Sequence, residues 1–406
     1  MNLMEQTFEK ISTKKLPLKG KTEVLNVYRI PINHLKYNVK NGRIATFVSQ
    51  YLDEEGPLPE DKEEFNKIIE KFIVDSNFKA FNNTKNNIRE LGQMEPAVVL
   101  SDGIVIDGNR RFTVLRQLNR EESNSAKFEY IDAVILDRKI YNEKDVKRLE
   151  LNLQHGLETR VDYNPVERLV DIYETLIAED INTGKPLFTI KEYARDAQMK
   201  ESEVKKDKEV AELLLEYLEF LHQPKKFHIA REQKVDGPLR EVHLILSSRK
   251  LDQSKLFEIK EFLFANLLTL KEDPTRMIRA LRKPLEDERL KEELLEKSED
   301  TLDKIDEVLS SNEVQDEVEK TGIVNVPIEI QENIIQVTED AVDSSKLEDA
   351  RNQPIEALRK AVNNIKQVDK NSLTYFNDEL RNGFNDYLSE AENLVKDLRE
   401  VLEDAE

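Results

Sequence analysis

The segment Val98–Leu118, VVLSDGIVIDGNRRFTVLRQL, constrains the chain most, because it sets two adjacent arginines between a strand and an amphipathic helix. Ala97–Leu100 and Ile104–Ile106 are short, β-branched apolar runs separated by the turn tripeptide Ser101-Asp102-Gly103, the pattern of a tight hairpin. After Asp107-Gly108-Asn109, the spacing of Phe112, Leu115 and Leu118 predicts a helix with Arg110 and Arg111 in its first turn. Cations there oppose the helix dipole, whose N-terminal end carries roughly half a positive charge, so the pair is locally unfavourable without a bound anion. A phosphate at that helix end would meet free backbone N–H groups and both guanidinium forks. The alternative is a solvated arginine pair on an ordinary helix.

Three boxes occur in order along the chain. Leu91-Gly92-Gln93-Met94-Glu95-Pro96-Ala97-Val98-Val99 runs from a helix end through Gly and Pro into a strand; Gly108-Asn109-Arg110-Arg111 is the second. Leu151-Asn152-Leu153-Gln154, followed by Asn164-Pro165-Val166-Glu167-Arg168, is the third. On these boxes the chain resembles ParB-like proteins of the ParB/sulfiredoxin superfamily. The resemblance implies an α+β N-terminal ParB/sulfiredoxin-like domain, then a mostly α-helical part with a helix-turn-helix, and a nucleotide pocket built from Gly92, Gln93, Gly108, Asn109, Arg110, Arg111 and Asn152. It implies CTP or ATP with Mg2+ as ligand, with Asn152 and the neighbouring Glu150 facing the metal. Arg43, in the turn-rich segment Tyr37–Ile44, matches a stretch that lies close to the nucleotide in that superfamily.

Two positions depart from the family pattern: Asn109 stands where the second box usually has Glu, and Leu151 where the third does. Magnesium prefers one or two carboxylates beside the phosphates, so nucleotide binding is better supported than hydrolysis. A weak CTPase or ATPase activity is compatible with the pattern. No cysteine is present among the 406 residues, which excludes a disulfide framework, a thiolate zinc site and the cysteine chemistry of sulfiredoxins. No run approaches the ~18 apolar residues of a membrane span and the N-terminus lacks a signal-peptide core, so the expected place is cytoplasmic, with no membrane partner. The net charge is −20, of which residues 281–406 carry −18, leaving the front of the chain nearly balanced and able to present a basic face.

Read for organisation, residues 1–20 are a flexible arm, 21–140 the nucleotide-binding domain, 141–272 a helical domain, and 273–406 an acidic helical and coiled-coil region. Tyr51–Arg89 reads as inserted helices before the first box. Thr189 with Glu192 forms a capping box that opens a helix-turn-helix over about 188–208, after a turn at Asn182–Pro186. Lys200, Ser202, Lys205, Lys206 and Lys208 would then point outward from the recognition helix toward double-stranded DNA. A packing hairpin is the plain alternative. The stretch His222–His243 is locally basic; its histidines match no zinc spacing, and phosphate contacts suit it better. The tail is expected to break at Pro284, around Gly322–Pro327 and at Pro354. Leu380, Phe384, Tyr387, Ala391, Leu394, Leu398 and Val401 alternate by four and three, the seam of a coiled coil or of a helix folded on its own tail.

The leading reading is a nucleotide-dependent DNA-binding protein that works as a homodimeric switch or clamp. The departures and the acidic tail point toward a mobile-element or phage-defence setting rather than chromosome segregation. A second reading is a nucleotide-using enzyme, a phosphotransferase or nuclease. The third is a non-catalytic subunit whose acidic tail recruits an ATPase or nuclease partner, or covers the basic face of its own molecule.

Overall fold

Period-2 apolar alternation in short segments gives a sheet with two buried faces, and both are covered by helices. In a computed structural model, residues 2–122, 126–156, 164–180, 183–270, 272–321 and 323–404 are described. The strands are β1 (Glu9–Leu18), β2 (Lys21–Pro31), β3 (Lys36–Tyr37), β4 (Ala97–Leu100), β5 (Ile104–Asp107) and β6 (Tyr130–Leu136). They form one mixed six-stranded sheet in the order β1-β2-β6-β4-β5-β3, parallel at β4–β6 and β3–β5 and antiparallel elsewhere. Helices α1 (Ala45–Glu54), α2 (Lys62–Ser76) and α3 (Phe78–Leu91) fill the expected insertion, and α4 (Asn109–Glu121) follows the hairpin.

Alternate strand residues sort to opposite cores. Ala97, Val99, Val105 and Ala133 pack with Phe65, Ile69, Phe81, Phe112 and Leu115 from α2, α3 and α4. Val98, Leu100, Ile106 and Val134 face the other way, onto Val146 and Leu149 of α5 (Glu143–Gly156). The boundary expected at residue 140 therefore moves, because α5 is the second cover of the sheet. Asn66 of α2, fully buried, accepts from Tyr37 N at 3.2 Å and donates to Leu35 O at 3.0 Å, so one amide satisfies the backbone of the short β3 and ties the insertion to the sheet.

The arm expected over residues 1–20 is corrected. Glu9–Leu18 is an edge strand whose ladder to β2 is a backbone property. Its N-terminal half, Glu9–Thr13, and Lys15 are exposed, which hides the strand pattern, while Leu16 and Leu18 bury fully at its end. Lysines on an edge also blunt strand-to-strand aggregation.

The rest of the chain is helical: α6 (Pro165–Leu176), α7 (Ile190–Asp196), α8 (Glu201–Phe220), α9 (Phe227–Glu232), α10 (Asp236–Leu246), α11 (Leu256–Thr269), α12 (Pro274–Glu286), α13 (Glu288–Leu309), α14 (Asn312–Thr321), α15 (Ile328–Lys366) and α16 (Asp378–Asp404). Asn164 caps α6, accepting from Val166 N at 3.0 Å, with Pro165 in the first turn where its missing N–H costs nothing. One core runs from Leu151 through Leu214, Phe262, Leu281 and Ile305 to Val342. The division expected at residue 273 therefore cuts through a packed core, and a truncation of residues 281–406 would remove Leu285, Leu294, Ile305 and Ile334 from it. The chain divides instead into Met1–Val342 and Asp343–Glu406. Pro354, expected as a break, lies inside α15, where it removes one donor without ending the helix. Gly322 and Asn182 lie outside the described residues. In the second unit Leu380, Tyr387, Leu394, Leu398 and Val401 are all exposed on α16.

Replacing Leu16 with Ala should cost roughly 2–5 kcal/mol in a urea unfolding titration, as for a large buried side chain, whereas a flexible arm would show no change.

Candidate anion-binding site

Gly108 precedes α4 in a left-handed conformation, φ +96°, and a Cβ there would sit 2.9 Å from the Ala97 Cβ and 3.0 Å from Arg111 Nη2. Only glycine lets the chain turn from β5 into the helix this tightly. Asn109, Arg110 and Arg111 then form the first turn, and Asn109 Oδ1, Arg110 Nε and Arg111 Nε are buried without a hydrogen-bond partner among the described residues. Native structures rarely leave such atoms orphaned.

The two arginines diverge. Arg111 Nη2 turns back to Asp107 Oδ2 at 2.9 Å. Nearby, Lys14 of β1 donates to Pro96 O at 2.7 Å and approaches Glu95 at 3.6 Å, and burial holds its pKa below the ordinary lysine value. Arg110 makes no ion pair among the described residues and lines a cavity of about 310 Å³ with Arg43, Arg231, Lys234, Asn164 and Glu167. Burial, with Arg43 and Arg111 close by, pushes the Arg110 pKa down to about 10. That depression measures the cost of keeping the charge there, which an anion would lower.

A relay from three helices shapes the cavity wall. Glu167 on α6, 1% exposed, accepts from Thr46 N at 3.2 Å and from Thr46 Oγ1 on α1. Thr46 Oγ1 in turn accepts from Arg231 Nη1 on α9 at 2.9 Å, while Arg231 Nη2 donates to Gln50 Oε1 at 3.1 Å. The Arg231 guanidinium lies 3.9 Å from the Phe47 ring centroid, a cation–π contact that fixes its plane. Burial raises the Glu167 pKa to about 7, with the Thr46 hydrogen bonds and Arg231 opposing the rise.

The remaining expected site residues fall in three places. Arg43 lines the same cavity as Arg110. Gly92 and Gln93 line a different hollow, and Gln93 pins the edge of β6: its Nε2 donates to Asp132 O at 2.8 Å and its Oε1 accepts from Asp132 N at 2.9 Å. Asn152 donates to Arg148 O within its own helix at 2.8 Å, and Glu150 faces another cavity, so these two do not form a magnesium site with the arginines. The side chain of Gln154 lies outside what is described. Arg231, Lys234, Phe47 and Glu167 were not chosen from sequence as site residues, although Glu167 stands in the Asn-Pro-x-Glu motif and Arg231 and Lys234 in the basic stretch.

In the expected helix-turn-helix, Thr189 and Glu192 make the full capping box of α7, and Gln198 adopts φ +54° in the turn before α8. Ala194 and Val204 are buried at the crossing. Lys200, Ser202, Lys205 and Lys206 are exposed at the start of α8, whereas Lys208 is half-buried and paired with Glu212 at 2.5 Å.

Comparison with known proteins gives little beyond this geometry. No family model matches the chain, and no curated protein matches it significantly. A solved structure described as a Pnob8-like ParB-N domain aligns with a TM-score of 0.38 and 14% identity, over 67% of this chain and 97% of that one. No helix among the described residues is long and apolar enough to cross a membrane.

Glu167 keeps its proton in the folded state between its ordinary pKa of 4.5 and about 7, where the unfolded chain has lost it. The stability this contributes is complete below the lower value and is lost as pH rises through the upper one. Glu167→Gln should therefore gain stability relative to the native protein as pH rises from 5 to 8, with a slope of at most about 1.4 kcal/mol per pH unit inside the window. Urea titrations across that range check it, and a flat difference would contradict the burial argument.

Proposed function

We propose that this chain is a ParB-like protein that binds a nucleoside triphosphate, CTP or ATP, and couples that binding to double-stranded DNA. The observation that carries the reading is Arg110: a cation in the first turn of a helix, crowded by two further arginines, with a buried, orphaned Nε on a side chain that lines a cavity. An anion there would gain the backbone N–H groups of α4 and the guanidinium groups of Arg110, Arg43 and Arg231 together. The boxes that suggested a nucleotide supply the chemistry of that anion, a phosphate chain entering the cavity with the nucleoside outside it.

The DNA contact falls to the first turns of α8, whose exposed Lys200, Ser202, Lys205 and Lys206 are of the types that meet phosphates and base edges. Dimerisation falls to α16, whose apolar seam is open to solvent. Binding rather than turnover is favoured, because Glu150 and Asn152 do not stand beside the arginines.

Calorimetric titration with CTP and with ATP in magnesium tests the nucleotide. One of the two should bind to the native protein, and Arg110→Ala should weaken it by at least about tenfold, the value of one charge-assisted hydrogen bond, with an unchanged circular dichroism spectrum. Retained affinity in the Arg110→Ala, Arg111→Ala double variant would remove the assignment. For DNA, replacing Lys200, Lys205 and Lys206 with Ala should lower affinity and flatten the salt dependence by about one unit of slope for each phosphate that is no longer neutralised. An unchanged slope would mean that α8 packs rather than reads.

A further inference from the structure

In the second unit, which begins at Asp343, none of residues 343–403 is buried, although both of its helices carry an apolar seam. On α16 the seam runs from Leu380 to Val401 and is widened by the exposed Leu388 and Val395 beside it. The distal half of α15 carries another: Ile355, Leu358, Val362 and Ile365, spaced by three, four and three, are 42–67% exposed. Single helices are marginal in water and draw most of their stability from a packed apolar face, so both seams call for a partner.

The groups flanking each seam decide what that partner is. On α15, Arg359 and Lys366 stand one position after Leu358 and Ile365, and Ala361 stands one position before Val362. On α16, Leu388 and Val395 follow the seam residues Tyr387 and Leu394, while Glu390 and Asp397 precede Ala391 and Leu398. In a parallel pair the flank after one seam faces the flank before the other; in an antiparallel pair like flanks meet. Two α16 helices mismatch either way: parallel sets Glu390 and Asp397 against apolar groups, and antiparallel sets acid against acid. A parallel α15–α16 pair matches on both sides. With Leu358 opposite Leu394, Arg359 meets Glu390, Lys366 meets Asp397, and Ala361 meets the apolar flank at Leu402.

The wider charge pattern agrees. Residues 351–366 hold four bases and one acid, and residues 378–403 hold eight acids and three bases. Of those three, Lys396 and Arg399 lie off both flanks, and Arg381 lies outside the matched stretch Ala391–Val401. Arg359 pairs with Glu356 at 2.7 Å within its own helix, an exposed contact worth little. The short connection 367–377 suits a hairpin, in which α15 and α16 of one chain run antiparallel and set Arg359 and Lys366 against Leu388 and Val395.

We propose that α16 seats in parallel on the distal half of α15 from a second copy of this chain, each copy giving and receiving one helix. The exchange is reciprocal, as a two-fold dimer requires. It rests on the reading that α16 dimerises the protein, and it involves neither nucleotide nor DNA.

Sedimentation velocity of the full-length protein, without nucleotide or DNA, should show a dimer. Arg359→Glu with Lys366→Glu should raise its dissociation constant at least about tenfold, and so should Glu390→Lys with Asp397→Lys, each with an unchanged circular dichroism spectrum. Mixing the two variants should restore the dimer, because each then offers the flank that the other needs. The chain has no cysteine, so Leu358→Cys and Leu394→Cys proteins, mixed and mildly oxidised, should cross-link to each other rather than to themselves. A monomeric native protein would overturn this pairing together with dimerisation through α16. A dimer that the Arg359→Glu, Lys366→Glu variant does not weaken, a failure of mixing to restore it, or Leu394→Cys cross-linked chiefly to itself would overturn the pairing alone.

Discussion

The buried carboxylate of Glu167 is the joint on which the arginine cavity depends. It holds Thr46 at the start of α1, and Thr46 in turn orients Arg231 on α9, so one side chain registers three helices. A buried carboxylate is costly unless its oxygens are satisfied, and here both are. The carboxylate and Arg231 are linked through a hydroxyl rather than paired directly. This arrangement leaves the guanidinium with a face on Phe47, while its Nε and Nη2 also donate to Glu232 Oε1 at 3.3 and 2.9 Å.

Around that joint Arg43, Arg110, Arg231 and Lys234 share the cavity lining with the carboxyl groups of Asp75, Glu167 and Glu232. Burial first, and then the charges of Arg43 and Arg111, hold the pKa of Arg110 down, and the helix dipole of α4 acts in the same direction. Arg111 is relieved by Asp107, which leaves Arg110 carrying the unbalanced charge. Glu150, the carboxylate expected to face magnesium, lines a different cavity. The sheet therefore borders two hollows that share no lining residue, one beyond the C-terminal end of β5 and one along its side.

Much of the architecture was legible in the sequence because its signals are local. The hairpin from Ala97 to Asp107, the proline at the start of α6 and the Thr189–Glu192 capping box are properties of residues within a few positions of one another. β1 was not legible, since an edge strand with mostly exposed side chains shows no alternation and is held by backbone pairing. Nor were the domain limits. Charge composition separated residues 273–342 from the helical domain, yet one apolar face of α12 and of α13 buries into that core while the acidic residues stay in water. Composition averages over both faces of a helix; packing uses one.

The sequence by itself determined that a glycine turn would deliver Arg110 and Arg111 to a helix N-terminus, because the constraint is the left-handed backbone of Gly108 and the period of the residues after it. Tertiary structure decided which cations join them and which acids do not. Thr46 meets Glu167 across 121 positions and Arg231 across 185, separations over which no periodicity or capping rule operates. Gln93, in the first box, was taken instead by the backbone of Asp132, one residue before β6 begins to pair with β4. Local pattern fixes conformation and the direction of a side chain along its own element; the company it keeps is set by which surfaces must leave water together.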